Sequence, residues 1–181
     1  MEIQLLRIDS RLLHGQITTS WVKSLHVERI LVVSTKAAND PMWKLLMEQV
    51  APATVRVNII SLEKMLRIMH DERFSTMKAL VLVETPKDAV QLIQAGLSVK
   101  EINVGSLSFH TGAHLVTDAI AVDMEDMLAF HWLHEQGYPL IAQKVASDTK
   151  KELWPILEEK TSFLKKSRKD ESLNSGNKVN L

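Results

Sequence analysis

The sequence predicts an α/β protein: a three-layer sandwich in which a mostly parallel central sheet of about seven strands carries helices on both faces. Three observations predict it. Short runs rich in valine, isoleucine and leucine alternate with helical patterns from the first residues onward. These runs recur about every 20 to 27 residues, the spacing of strand–helix units and too long for hairpins. The helix starts are also punctuated, with a capping residue directly before a proline in two cases.

The first strand is expected at IQLLRI (3–8), followed by a polar loop and a helix that begins around Gly15 or Gln16. RILVVS (29–34) reads as the second strand, after which Asp40 caps a helix whose first residue is Pro41. In that helix Trp43, Leu46, Met47 and Val50 recur at i, i+3, i+4 and i+7, which reads as a face turned to the core. VRVNII (55–60) and KALVLV (78–83) are the third and fourth strands. Thr85 then caps a helix with Pro86 first and Asp88 third, a variant of the capping box, and Gly96 closes it. EINVG (101–105) is the fifth strand. The mixed polarity of SLSFHTGAHLVTDAIAVD, with a glycine inside it, reads as a hairpin or antiparallel edge. Asp123 caps MEDMLAFHWLHEQ, which ends at Gly137; YPLIAQKV (138–145) is a last strand, and LWPILEE belongs to a final helix. From Lys165 the chain loses periodicity and large apolar residues, so residues 1–164 are expected to form one domain and 165–181 a disordered tail.

Composition narrows the function. With 22 basic and 22 acidic residues there is no global field to attract nucleic acid, and no nucleic-acid partner is expected. The absence of cysteine excludes disulfides, thiol nucleophiles and thiolate metal sites. No leading basic-then-apolar segment resembles a signal peptide, and no apolar run approaches the ~20 residues of a membrane span. The chain therefore reads as cytoplasmic, with membrane association only through a partner.

The stretch RIDSRLLHGQ (7–16) asks for more than turn chemistry. In an open parallel sheet, ligand sites lie where strand carboxyl ends lead into helix N-termini, and this stretch holds that place in the first unit. Backbone N–H groups near His14 would favour an anion, Gly15 would allow close approach, and Arg11 would offer a planar fork to phosphate or carboxylate oxygens. Asp9 would hold one ring nitrogen of His14 or order Arg11. His14 could then act as donor, proton shuttle or nucleophile. No G-x-x-x-x-G-K-[ST] or G-x-G-x-x-G loop is present to hold a nucleotide, so a phosphoryl group on His14 would have to come from another phosphoprotein.

R-I-D-S-R-L-L-H-G-Q-I-T-T-S-W, together with RILVVSTKAAND, VAPATVRVNIISLEK, EINVG and VASD, resembles the IIB components of the mannose/fructose/sorbose family of the bacterial phosphoenolpyruvate-dependent sugar phosphotransferase system. The likeness covers residues 1 to about 164. It implies a protein-N(pi)-phosphohistidine–sugar phosphotransferase, with His14 as the phosphohistidine and Arg11 as the phosphoryl-stabilising residue. Asp9, Gly15 and Gln16 complete the phosphate-binding loop. It also implies a IIA phosphocarrier as donor, IIC/IID membrane components as partners, a sugar as acceptor, and no cofactor. The chain departs from the family's usual pattern at Ser10, at Ser106 and Leu107 after Gly105, and at Gln143. Two other readings of the loop are a regulatory module that senses phosphate and a phosphate-binding enzyme using His14 as general acid or base.

Other candidates are weaker. The pairs His110/His114 and His131/His134 each lack an obvious third ligand, and no metal site is expected. Thr35, Lys36 and Asn39 would flank the active loop if the first two strands are neighbours.

Overall fold

The structure, a computed structural model, describes residues 1–160. The expected tail, 165–181, lies outside the described residues. Seven strands form one sheet in the order β3-β2-β4-β1-β5-β8-β9. They are β1 (Glu2–Asp9), β2 (Arg29–Val33), β3 (Arg56–Ile60), β4 (Lys78–Val83), β5 (Ile102–Ser106), β8 (Leu140–Ala142) and β9 (Lys151–Glu152). All pair in parallel except the edge strand β9, which runs antiparallel to β8. The 106–123 segment forms the expected hairpin, β6 (His114–Leu115) against β7 (Ala121–Val122).

Alternating side chains of each strand enter two separate cores, because successive residues of a pleated strand point to opposite faces. Leu31, Val33, Val81 and Val83 join one core with α4 (Leu62–Ile68), α5 (Pro86–Gln94), α6 (Met124–Glu135) and the helix α7 at 154–160. Ile30, Val32, Leu80 and Leu82 join the other with the first crossover and with α2 (Thr35–Asn39) and α3 (Pro41–Gln49). The three-layer sandwich is therefore present. Its helix starts are capped as the sequence indicates: Asp40 accepts from Met42 and Trp43 N–H groups, and Thr85–Asp88 forms a reciprocal capping box. Asp123–Asp126 forms another.

Two expectations are corrected, and one condition is not met. β4 lies between β1 and β2, so the first two strands are not neighbours. The α3 stripe is not a core face: Met47 alone of the four is buried, while Trp43, Leu46 and Val50 are exposed. The last long strand is shorter than 138–145, because the chain turns at Gln143 and returns as β9.

The topology places the first loop at a crevice. The crossover after β1 packs on one face of the sheet, while α5, which follows the neighbouring β4, packs on the other. Connections that leave adjacent strands in opposite directions open a cleft at their carboxyl ends. Residues 10–16 occupy it.

Candidate active site

Strand β1 is buried from Leu5 to Asp9 and delivers two charged residues into the interior, Arg7 and Asp9, both with 0% exposure. A buried ion is tolerated only when paired and hydrogen-bonded. Arg7 meets that demand with Asp9 Oδ2 at 2.8 Å, the Asn103 side-chain oxygen, and the backbone oxygens of Gln143 and Lys144 at 2.9 and 3.1 Å. Its guanidinium also lies 5.3 Å from the centre of the Trp21 ring. Gly105 makes room for it: a Cβ there would fall 1.7 Å from Arg7 Nη2.

Beyond Asp9 the chain makes a tight turn, with Leu12 N–H donating to Asp9 O at 2.8 Å and Leu12 itself in the left-handed region at φ 55°. A β-unbranched but bulky residue reaches that region at some cost, held there by packing. Leu12 and Leu13 supply the packing, both buried in the smaller core. The loop is thus anchored on both sides of the turn.

His14 follows, partly exposed, and its backbone oxygen accepts from Ile17 and Thr18 N–H groups to open the helix at residue 15. That helix is wound as a π-helical segment at Ile17–Trp21 before α1 (Val22–Ser24). π-Turns inside helices are rare and concentrate at functional sites. Trp21 Nε1 donates to Lys144 O at 3.1 Å and Ala146 N donates to Ser20 Oγ at 2.9 Å, so the wide turn is fastened to the segment after β8. Gln143 organises that segment, its side-chain amide donating to Ala146 and Asp148 backbone oxygens.

Asp9 is the hub. Besides Arg7, its carboxylate accepts from Arg11 Nε and Nη2 at 3.1 and 3.2 Å, from Arg11 N–H at 3.2 Å, and pairs with His14 Nε2 at 3.1 Å. Burial works to raise its pKa, but the hydrogen bonds from His14 and Arg11 and the charge of Arg7 outweigh it, holding the carboxyl well below the usual carboxylate range. Burial conversely lowers the pKa of Arg7, and Asp9 offsets this only in part. An ionised acceptor requires Nε2 to be the donor, so that nitrogen carries a proton and Nδ1 is the ring nitrogen that Asp9 does not hold.

Arg11, 43% exposed along its side chain, also reaches Gln16 Oε1 at 3.3 Å. Gly15 has nothing within 4 Å of where a Cβ would stand, so its open side faces out of the molecule. Ser10 ties the loop to its neighbour: Ser106 O accepts from Ser10 N, and the Ser10 hydroxyl bonds both the N–H and the hydroxyl of Ser108.

The structure therefore brings Asp9, Arg11, His14, Gly15 and Gln16 together, with Asp9 beneath the ring as an acceptor. Lys36 also approaches, sharing a small cavity with Ser10, Leu12 and Trp43. Thr35 instead accepts from Leu62 N–H, and Asn39 lies exposed at the end of α2. His131 and His134 stack on Trp154, and His110 turns towards Asp123 and Asp126, with ligand atoms within 4.8 Å of one another. Both of those carboxylates cap the start of α6, where the helix dipole disfavours a cation. Sequence reasoning missed Arg7 and Asn103 as site residues; the signal was a lone arginine inside an apolar strand.

Residues 3–169 match the family model described as the PTS system sorbose subfamily IIB component. The chain is 38% identical over 157 residues to the PTS system fructose-specific EIIB component of Bacillus subtilis, covering 87% of this chain and 96% of that one. It is 36% identical to the PTS system mannose-specific EIIAB component of Escherichia coli, of which it spans about half, 49%. The solved IIBSor domain of the sorbose permease from Klebsiella pneumoniae superimposes with a TM-score of 0.84 at 32% identity, covering 88% of this chain and 98% of that domain.

Proposed function

The chain belongs to the sorbose subfamily of phosphotransferase-system IIB components, phosphotransferases of sugar uptake, and we propose that it carries the phosphoryl group on Nδ1 of His14. The observation that carries this reading is the 3.1 Å pairing of His14 Nε2 with the buried Asp9 carboxylate. One nitrogen is occupied as a donor, and the other is left as nucleophile.

In the loading step the Nδ1 lone pair attacks phosphorus on the phosphohistidine of a IIA protein. The donor's N–P bond breaks, and its electron pair returns to the donor imidazole. Asp9 offsets the positive charge that develops on the His14 ring, and Arg7 keeps Asp9 ionised and in place. Arg11, Gln16 and the N–H groups at the opening of the helix surround the arriving oxygens, and Gly15 leaves their approach clear. In the unloading step a sugar hydroxyl attacks phosphorus, the Nδ1–P bond returns its electrons to His14, and the hydroxyl proton leaves to solvent. Positioning and charge complementarity supply the catalysis.

The sugar is held by IIC/IID membrane components, with this chain working on the cytoplasmic side. None of its described helices is long and apolar enough to cross a membrane. Incubation with a phosphoenolpyruvate-driven relay followed by intact-mass analysis tests the loading step. One acid-labile, base-stable phosphate is expected on the wild type and none on His14→Ala. Sugar phosphate formed on adding membranes distinguishes a carrier from a sensor of phosphate.

A further inference from the structure

Four large apolar side chains of α3, Met42, Trp43, Leu45 and Leu46, and Val50 at its C-cap are each between 41% and 64% exposed. Single exposed apolar residues are ordinary, but a group of them on and beside one nine-residue helix is the kind of surface that marks an interaction site. The patch adjoins the catalytic loop, because Trp43 lines the same small cavity as Ser10 and Leu12. On the loop's other flank Phe109 is 69% exposed, next to Ser108, which is bonded to Ser10. Apolar surface therefore brackets His14.

We propose that α3 and Phe109 form the docking surface for the phosphorylated IIA protein, an inference that rests on the phosphocarrier reading of His14. Three observations select this occupant. Any macromolecule that brings phosphorus to His14 must cover the loop, and so meets Trp43 and Phe109 together. The exposed cations between them and the ring, Arg11 and Lys36, complement a surface carrying a dianionic phosphoryl group. An acceptor site presenting a neutral sugar gains nothing from them. A second copy of this chain seated here would cover the loop that has to exchange phosphate. The patch also matches the modest interface, near or below ~1,200 Å², of partners that must separate after each transfer. Once His14 is phosphorylated the loop's cations are neutralised, which favours release of the spent donor.

The test uses Met42→Lys/Leu46→Lys and, separately, Phe109→Ser, none of which touches the catalytic loop's hydrogen bonds. The donor is the IIA half of the Escherichia coli EIIAB relative, charged by a phosphoenolpyruvate relay; wild type labelled by phosphoramidate but not by this donor would overturn the proposal. Phosphoramidate, a small phosphoryl donor that needs no docking, reports on the integrity of His14. Labelling by phosphoramidate is expected at the wild-type rate. The KM for phospho-IIA is expected to rise about 10- to 30-fold with kcat nearly unchanged, as for loss of interface anchors. Wild-type KM values in both variants would overturn the proposal. So would normal loading from IIA combined with slowed delivery to sugar in IIC/IID membranes, which would assign the face to the permease. A wild-type dimer in solution that the lysine variants dissociate, with loading unchanged, would assign it to a second copy. Wild type left unlabelled at His14 by either donor would sink the phosphocarrier reading itself.

Discussion

Asp9 pairs with His14 Nε2 at 3.1 Å through the same carboxylate oxygen that accepts from Arg7 Nη2 at 2.8 Å. One oxygen thus joins a fully buried cation to a partly exposed imidazole. Asp9→Asn should remove the negative charge that both ends share, leaving one amide oxygen to accept where the carboxylate offers two. The unpaired Arg7 charge is expected to cost on the order of 3 kcal/mol of stability, read by urea denaturation. Loading from phospho-IIA should slow well beyond what the folded fraction explains, because the ring loses its anionic partner. Full-rate loading in the folded variant would mean that Asp9 serves the fold alone.

Two glycines offer a contrast. At Gly105 an added Cβ would stand 1.7 Å from Arg7 Nη2, so Gly105→Ala must push the guanidinium off Asp9. A loss of about 1–3 kcal/mol is expected, together with slower loading. At Gly15 the same methyl meets open space, and Gly15→Ala should leave stability within about 0.5 kcal/mol while slowing transfer. Thermal melts and quenched-flow loading on the pair check both halves.

Arg11→Lys should be a poor replacement. The present side chain forks onto Asp9 through Nε and Nη2 and still reaches Gln16, a geometry that a point charge cannot reproduce. Since the side chain is 43% exposed, its stability loss should stay below about 1 kcal/mol. Transfer should fall roughly tenfold or more, from loss of a bidentate partner for phosphoryl oxygens. Equal rates would make Arg11 a brace for Asp9 only.

Acid should weaken the cluster in a defined direction. Asp9 titrates below its unfolded value of about 3.9, so the native state binds fewer protons than the unfolded chain as pH falls past that value. Its contribution is full above about pH 5 and drains as pH drops below 4. Asp126, whose pKa burial raises, acts with the opposite sign, so the comparison needs wild type minus Asp9→Asn. Denaturation between pH 7 and pH 3 should show that difference shrinking. A constant difference would mean that the ionised carboxylate is not what stabilises the site.

Much of this molecule is legible from residues alone, for physical reasons that also mark where legibility stops. Valine- and isoleucine-rich runs and the Asp40–Pro41 and Thr85–Pro86 starts report local propensity, and the strands and helices stand where they indicate. Strand order is set by packing between distant segments, so the insertion of β4 between β1 and β2 left no mark in either strand. The periodicity of Trp43, Leu46 and Val50 reveals an apolar face but not whether the same chain covers it. Asp9, Arg11, His14, Gly15 and Gln16 are close in sequence, so local chemistry brings them together. Asn103 and Gly105 reach Arg7 from β5 and the Gln143 and Lys144 carbonyls from the turn after β8, and their part depends on the sheet.

The most direct test of the account is the nitrogen that carries phosphorus. With the protein labelled with ¹⁵N and loaded by phospho-IIA, long-range proton–nitrogen correlation spectra distinguish the two ring positions of His14. Phosphorylation at Nδ1, with Nε2 still protonated and held by Asp9, is the predicted result. Phosphate on Nε2, or on any other histidine, would contradict it.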